Sequence, residues 1–143
     1  MIIMCQFEPD VVCITETWWS TKVGDQEIAL TSFQLFRKDR IGYQVGGVLI
    51  YDRQGLLVSD KSENLAGNTE AIWLTVSTPG SQALDILMVY RPPSRNQQSD
   101  TSLMKKVRAI AKRPDVMIMG DLSAPHIDWN LSSVPGSEVT FDL

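Results

Sequence analysis

Two acidic residues stand at matching places in two similar segments of the chain. Segments 9–16 (PDVVCITE) and 114–121 (PDVMIMGD) each begin with Pro-Asp and continue with an apolar run, and each ends in an acid at the same offset, Glu16 or Asp121. A continuous apolar run bounded by turn residues predicts a strand in the centre of a sheet, buried on both faces. If the two strands share a sheet or face each other across a sandwich, we expect Glu16 and Asp121 to emerge at one end of the fold.

A pair of neighbouring carboxylates has a specific chemical meaning. Two carboxylates repel each other unless a nearby cation offsets their charge, and a hard cation such as Mg²⁺ accepts carboxylate oxygens and water as ligands. The pair therefore indicates a metal-dependent site. For either acid alone, the alternative is that it ends a strand and faces water.

The elements that must position these acids are mostly short strands. Besides 11–15 and 116–119, apolar segments separated by turn residues predict strands at 33–37, 48–51, 72–76 and 84–90. One helix is predicted from the apolar residues at helical spacing between Leu103 and Ala111, with Ser99 or Asp100 as its cap and Pro114 as its stop.

Many strands and few helices, not in strict alternation, predict the fold class. We expect an α/β (α+β) layered sandwich with mixed β-sheets flanked by helices. The chain has 143 residues, which is enough for one domain with a core and too few for two. We therefore expect a single domain over 1–143.

Composition narrows the class of protein further. Hydrophobic residues make up 43% and charged residues 21%, which is typical of a globular domain and not of a disordered chain. The net charge of −4 argues against tight binding to nucleic acid through charge alone, but it suits a metal-dependent nuclease, in which the metal supplies the positive charge. No apolar run is long enough to span a membrane, and the start lacks the features of a signal peptide.

Cys5 and Cys13 lack the spacing of a metal site and are expected to be free thiols in a reducing compartment. We therefore expect an intracellular protein of the nucleus or cytoplasm.

Four segments, taken in order, resemble those of one family. Segments 14–18 (ITETW), 46–51 (GGVLIY), 90–93 (YRPP) and 120–129 (GDLSAPHIDW) resemble the ITETWL, GGVLIY, YRPP and GDFNAPHIDW segments of the endonuclease domains of non-LTR (LINE-type) retrotransposons. The resemblance covers nearly the whole chain. That family belongs to the endonuclease/exonuclease/phosphatase superfamily, whose deoxyribonuclease-like fold is also found in apurinic/apyrimidinic endonucleases.

The resemblance implies an activity and assigns roles to residues. The implied reaction is hydrolysis of a DNA phosphodiester that nicks one strand at a target site, with Mg²⁺, or Mn²⁺ in its place, as the cofactor. Glu16 resembles the metal-ligating glutamate, Tyr90 the tyrosine that hydrogen-bonds the scissile phosphate, and Asp121 the aspartate that orients and deprotonates the attacking water. Ser123 occupies a catalytic position where the family has asparagine, and its single hydroxyl cannot reproduce both contacts of an amide.

The resemblance also implies partners. DNA is the expected substrate, with Trp18 and Trp129 beside the two acids and Arg91 after Tyr90 as candidate contacts. For Arg91 the alternative is a solvated loop. A reverse transcriptase domain in the parent polypeptide is the other expected partner, and neither a membrane nor a small-molecule cofactor is expected.

Two departures from the family leave alternatives open. The chain begins after the family's upstream asparagine and stops before its Ser-Asp-His segment, so we expect a partial domain, incomplete at both ends, with weak or no nicking activity. One alternative function is a non-catalytic degraded fragment or binding module. Another is a different phosphoesterase of the same superfamily, acting on a phospholipid or a small phosphate ester.

Overall fold

The computed structural model describes residues 6–40, 42, 46–65, 69–92 and 97–122. Its strands are β1 (Val11–Thr15), β2 (Phe33–Lys38), β3 (Val48–Arg53), β4 (Leu57–Asp60), β5 (Ala71–Ser77), β6 (Leu84–Arg91) and β7 (Val116–Leu122). Its helices are α1 (Asp25–Ile28) and α2 (Gln97–Ala111), with one turn of 3-10 helix at Ser62–Asn64.

The strands form two sheets. The first has three strands in the order β1-β3-β2, all antiparallel. The second has four strands in the order β4-β5-β6-β7, antiparallel except for the parallel pair β6 and β7. The predicted sandwich with a mixed sheet is therefore confirmed, and α1, β4 and the 3-10 turn are elements that the sequence pattern did not predict.

One hydrophobic core fills the space between the two sheets. Alternate residues of each strand point inward, since successive side chains of a strand face opposite sides. The buried members of this core are Val48, Ile50, Ile72, Leu74, Val76, Ile86, Met88 and Tyr90. Tyr90 is the last of them along β6, so the core ends at a tyrosine on the side where the acids were predicted.

A second core lies between the second sheet and α2. Leu103, Val107 and Ile110 of the helix are buried against Leu87 and Val89 of β6. The layers are therefore first sheet, second sheet and helix. The helix begins at Gln97, so the prediction that Ser99 or Asp100 caps it is wrong. The apolar stripe marks only the part of the helix that is buried, and its first turn carries no such signal.

The structure corrects the placement of the two matching strands. Among the described residues β1 and β7 are edge strands, and they expose Ile14 (39%) and Met117 (45%), so the prediction that both lie in sheet centres is wrong. An apolar run shows that a segment is a strand, but its place in the sheet depends on which other strands pair with it.

Five strands are longer than predicted, and two of the extensions, those of β3 and β7, place acidic residues. β7 runs past Met119 to Leu122, so Asp121 lies within the strand and not after it. β3 runs past Tyr51 to Arg53, and the strand alternation then places Asp52 on the same face as Ile50. Asp52 is fully buried there, and neither of its carboxylate oxygens has a hydrogen-bond partner among the described residues.

A buried charge network lies at the end of the second sheet opposite Tyr90. Asp85 is 4% exposed and accepts hydrogen bonds from Thr75 and Arg113, and Lys61 Nζ lies 3.6 Å from Asp85 Oδ1. The side chains of Lys61 and Arg113 both lie over the ring of Trp73, at 5.4 and 5.5 Å from its centroid. Trp73 is half-buried in this packing, which agrees with a structural role.

The remaining sequence predictions concern exposure and membranes. Cys13 is a free, half-buried cysteine, as expected, and Cys5 lies outside the described residues. Across the described ranges, no helix is both long and apolar enough to cross a membrane.

Candidate active site

The two sheets are joined at one end by a hydrogen bond between predicted site residues. The Tyr90 hydroxyl, at the end of β6 in the second sheet, donates to Glu16 Oε1, just past β1 of the first sheet, over 2.8 Å. The Tyr90 side chain is almost fully buried at 2%, and Glu16 is exposed. The contact therefore lies at the boundary between the core and solvent.

Glu16 occupies a strained turn that the first sheet holds in place. Glu16 and Trp18 have φ angles of 52° and 57°, in the left-handed region that costs a non-glycine residue about 1–2 kcal/mol. The turn is held by backbone bonds to the start of β3: the Trp18 amide donates to the Gly46 carbonyl over 3.0 Å, and the Thr17 amide donates to the Gly47 carbonyl over 3.4 Å. Strain maintained in this way is common at functional sites.

Asp121 lies beside Tyr90 on the neighbouring strand. The parallel register of β6 and β7 pairs Tyr90 with Asp121 and Val89 with Gly120. A side chain at Gly120 is excluded, because its Cβ would lie 1.7 Å from the Val89 carbonyl oxygen and φ is 140°. Glycine at this position is what allows β7 to stay paired with β6 up to Asp121.

The surroundings of Tyr90 hold its hydroxyl in the neutral form. The pKa of Tyr90 is raised to about 12, first by burial and then by the hydrogen bond to Glu16 and the negative charges of Glu16, Glu70 and Asp121. Tyr90 is therefore a hydrogen-bond donor throughout the physiological pH range, and Asp121 is close enough to act on it electrostatically.

The donor set fits a hard cation held by few protein ligands. Glu16 and Asp121 offer carboxylate oxygens at the same end of the fold. Residues 6–122, so far as they are described, contain no group of three or more His, Cys, Asp or Glu side chains able to hold a metal. Mg²⁺ usually binds through one or two carboxylates and keeps several waters, whereas structural Zn²⁺ requires four ligands. Glu16 and Asp121 are thus the carboxylates at this end of the fold that could hold a Mg²⁺ ion.

The other predicted site residues have different placements. Trp18 is 62% exposed, two positions after Glu16. Arg91 is half-buried and, by strand alternation, lies on the opposite face of the second sheet from Tyr90. Ser123 and Trp129 lie outside the described residues.

Two residues of this region were not found from the sequence. Glu70 is buried at 5% and accepts a hydrogen bond from the Gly47 amide, and Arg40 Nε lies 3.1 Å from Glu70 Oε1. Glu70 directly precedes β5, and an acidic residue at such a position is normally interpreted as a turn residue exposed to solvent. Only its burial beside Arg40 distinguishes it, and burial is not visible in a single sequence.

Comparisons with known proteins agree on the fold. Neither a family model nor a curated protein sequence matches the chain. Among solved structures, the endonuclease domain of TRAS1, a telomere-specific non-LTR retrotransposon, is similar with a TM-score of 0.64 and 15% identity over 86% of this chain and 51% of that one. The human Nocturnin catalytic domain (TM-score 0.56, 14% identity, 85% of this chain and 54% of that one) and ANGEL2, a 2′,3′-cyclic phosphatase (0.55, 15%, 84% and 41%), are also similar.

These similarities define the class of fold. The described residues have the layered fold of endonuclease/exonuclease/phosphatase-type domains, which confirms the deoxyribonuclease-like sandwich expected from the sequence. The chain spans about half the length of the structures it resembles. At identities near 15% the likeness concerns the fold alone.

Proposed function

We propose that this chain is part of a Mg²⁺-dependent DNA endonuclease domain of a non-LTR retrotransposon, which nicks one strand of a target site. The observation that carries the proposal is the contact of Tyr90 with Glu16 beside Asp121. The four sequence segments that resemble the LINE-type family and the likeness to the TRAS1 endonuclease domain support the same reading. The domain's expected partners are DNA and a reverse transcriptase in the same polypeptide.

Each side chain has a chemical task in this proposal. Tyr90, kept protonated by its raised pKa, donates its one proton to Glu16 in the free chain and, when DNA is bound, to an oxygen of the scissile phosphate instead. Asp121 accepts a proton from the attacking water and orients it toward phosphorus. Glu16 supplies the carboxylate for Mg²⁺, or for Mn²⁺, which when bound would stabilise the charge on the phosphoryl and leaving oxygens. Ser123, which follows β7, contributes at most one hydroxyl to the phosphate.

DNA contact is assigned to the aromatic and basic residues near the acids. Trp18 is mostly exposed beside Glu16 and is available to stack on a base or sugar. Trp129 and Arg91 remain candidate contacts, although strand alternation directs Arg91 away from Tyr90. With a net charge of −4, binding is expected to depend strongly on the divalent cation.

The test is nicking of supercoiled plasmid DNA with Mg²⁺ by the wild-type chain, Glu16→Gln and Asp121→Asn. Each substitution is expected to reduce the rate by about a hundredfold or more, since each removes a group that acts on the reacting atoms. Asp10→Asn is the matched control, because Asp10 precedes the same strand, β1, at the opposite end from Glu16 and is mostly exposed. Equal nicking by wild type and both site variants would contradict the proposal and indicate a contaminating nuclease.

A second candidate function is hydrolysis of a different phosphoester. The similarity to ANGEL2, a 2′,3′-cyclic phosphatase, is the observation that favours it. Release of product from a 2′,3′-cyclic nucleotide, lost in Glu16→Gln and without plasmid nicking, would support this reading. No hydrolysis of either substrate by a folded chain would support the non-catalytic alternative.

A further inference from the structure

Glu70 connects the parts of the candidate site that belong to different sheets. It immediately precedes β5 in the second sheet and is 5% exposed. Its carboxylate accepts the Gly47 amide of the first sheet at Oε2 over 3.0 Å. Its own backbone carbonyl accepts the Tyr90 amide over 2.8 Å. One residue thus bonds both to the segment that leads into β3 and to the strand that carries Tyr90.

The segment that Glu70 holds is the one that holds Glu16. The carbonyls of Gly46 and Gly47 accept the amides of Trp18 and Thr17, which fix the left-handed turn at Glu16. A chain of hydrogen bonds therefore runs from Glu70 through the Gly46–Gly47 segment to Thr17 and Trp18, the two residues that follow Glu16.

The close approach of Glu70 requires glycine at position 46. A Cβ there would lie 2.6 Å from Glu70 Oε2, 3.0 Å from Arg40 Cδ and 3.3 Å from Tyr90 Cε1. Because Gly46 has no side chain, the side chains of Glu70, Arg40 and Tyr90 can all approach its Cα closely. The φ of 109° at Gly46 is also a conformation that glycine adopts without strain.

Arg40 offsets the free-energy cost of burying the Glu70 carboxylate. A buried carboxylate without a cation or hydrogen bonds would be neutralised or excluded from the fold. Arg40 Nε lies 3.1 Å from Oε1 and is itself 22% exposed, so the pair lies at the edge of the site. With Arg40 on one oxygen and the Gly47 amide on the other, both carboxylate oxygens of Glu70 have a partner and the direction of the side chain is fixed.

We propose that Glu70, paired with Arg40, is a positioning residue that sets the Glu16–Tyr90 contact through the Gly46–Gly47 segment. Its catalytic meaning rests on the proposed function, but its structural effect does not. Glu70 itself does not contact the Tyr90 hydroxyl in the described hydrogen bonds, so it acts through the backbone and not on the substrate.

Amide hydrogen exchange measured by NMR tests the proposal without catalysis. The Trp18 amide reports the site end of the first sheet, and the Arg53 amide, which donates to Asp10 over 2.8 Å, reports the opposite end. In Glu70→Ala we expect exchange at Trp18 to rise by about tenfold relative to exchange at Arg53, as for the loss of a hydrogen bond to a charged group.

Asp85→Ala is the matched control, and Glu70→Gln is the conservative variant. Asp85 is buried to a similar extent in the same sheet and is also paired with an arginine, Arg113, but it belongs to the other network. Asp85→Ala should lower stability while leaving the Trp18-to-Arg53 exchange ratio unchanged. Glu70→Gln keeps one acceptor oxygen for two donors, so its Trp18 exchange should lie between those of wild type and Glu70→Ala.

The possible results separate this proposal from the proposed function. An unchanged Trp18-to-Arg53 ratio in Glu70→Ala, or an equal rise in Asp85→Ala, would overturn the positioning role even if the chain nicks DNA. If Glu70→Ala does not fold, Glu70→Gln decides: a rise confined to Trp18 supports the role, and a uniform rise or none overturns it. A selective rise at Trp18 in a chain that never nicks DNA would support the positioning role and reject the function.

Discussion

The Tyr90 hydroxyl donates a 2.8 Å hydrogen bond to Glu16, and this bond joins residues that are 74 positions apart in the chain and lie in different sheets. The side chain of Tyr90 is buried in the core, and its hydroxyl reaches the candidate site. The pKa of the Tyr90 phenol therefore depends on the position of Glu16.

We expect Glu16→Gln to lower the pKa of Tyr90 from about 12 toward its ordinary value. Burial would remain, but the charged acceptor and its negative charge would be lost. The ultraviolet absorbance of phenolate, followed with pH, measures the effect, and Tyr90→Phe identifies which step belongs to Tyr90. Asp10→Asn should leave the titration unchanged. A Tyr90 step that is the same in Glu16→Gln as in wild type would mean that the bond does not form in solution.

We expect Mg²⁺ binding to depend on Glu16. Isothermal titration calorimetry of the wild-type chain should give heat of binding that disappears in Glu16→Gln and weakens in Asp121→Asn, because carboxylate oxygens are the ligands of this ion. Tyr90→Phe should retain binding, since a neutral phenol is not required as a ligand. Binding that survives unchanged in Glu16→Gln would place the metal elsewhere on the chain.

Stability should fall as pH rises through about 6, because of Asp52. This carboxyl is fully buried without a hydrogen-bond partner, and burial raises its pKa to about 6. Cys13 of β1 is the titratable group that faces it, and its pKa is raised to about 11 by burial and by the charge of Asp52. Among the buried residues that the facing sheet contributes to this core, Tyr90 is titratable and the others are apolar.

The sign follows from the direction of the shift. The folded chain holds the Asp52 proton more tightly than the unfolded chain, so the stabilisation is fully present below about pH 4 and is lost as pH rises through the folded value. The whole loss is about 3 kcal/mol for a pKa near 6, and about 2 kcal/mol of it falls between about pH 4.5 and 7.5. Urea unfolding at about pH 4.5 and 7.5 measures it. Asp52→Val should be more stable than wild type near neutral pH, and the difference should shrink at acid pH. A difference independent of pH would contradict a buried, titrating carboxyl.

Gly120→Ala should destabilise the fold by about 3 kcal/mol or more, because the new Cβ would overlap the Val89 carbonyl and φ is strongly positive. Gly55→Ala is the control: its φ is 103°, but nothing lies within 4 Å of the added carbon. That change should lower the free energy of unfolding by only about 1–2 kcal/mol, because alanine is strained in this backbone conformation. Denaturant unfolding compares the two, and equal losses would show that the β6–β7 pairing tolerates a side chain at position 120.

Much of the local structure follows from the sequence because it depends on neighbouring residues. Apolar runs bounded by turn residues marked six of the seven described strands, and apolar spacing marked α2. β4 was missed because its four residues, of which only two are apolar, give too short a pattern. Strand ends were also misplaced, since Asp52 and Asp121 read as turn residues and yet continue β3 and β7.

The candidate site, like the fold, could be predicted from the sequence only in part. The residue types and offsets of Glu16 and Asp121, and the segment containing Tyr90, could be recognised from the sequence alone. Their assembly could not, because strand order and register are set by pairing between segments far apart in the chain. The tertiary structure alone decided that Tyr90 meets Glu16, that Arg91 faces away, and that Glu70 is buried between the sheets. Periodicity shows which residues share a face of one strand, whereas only packing determines what that face meets.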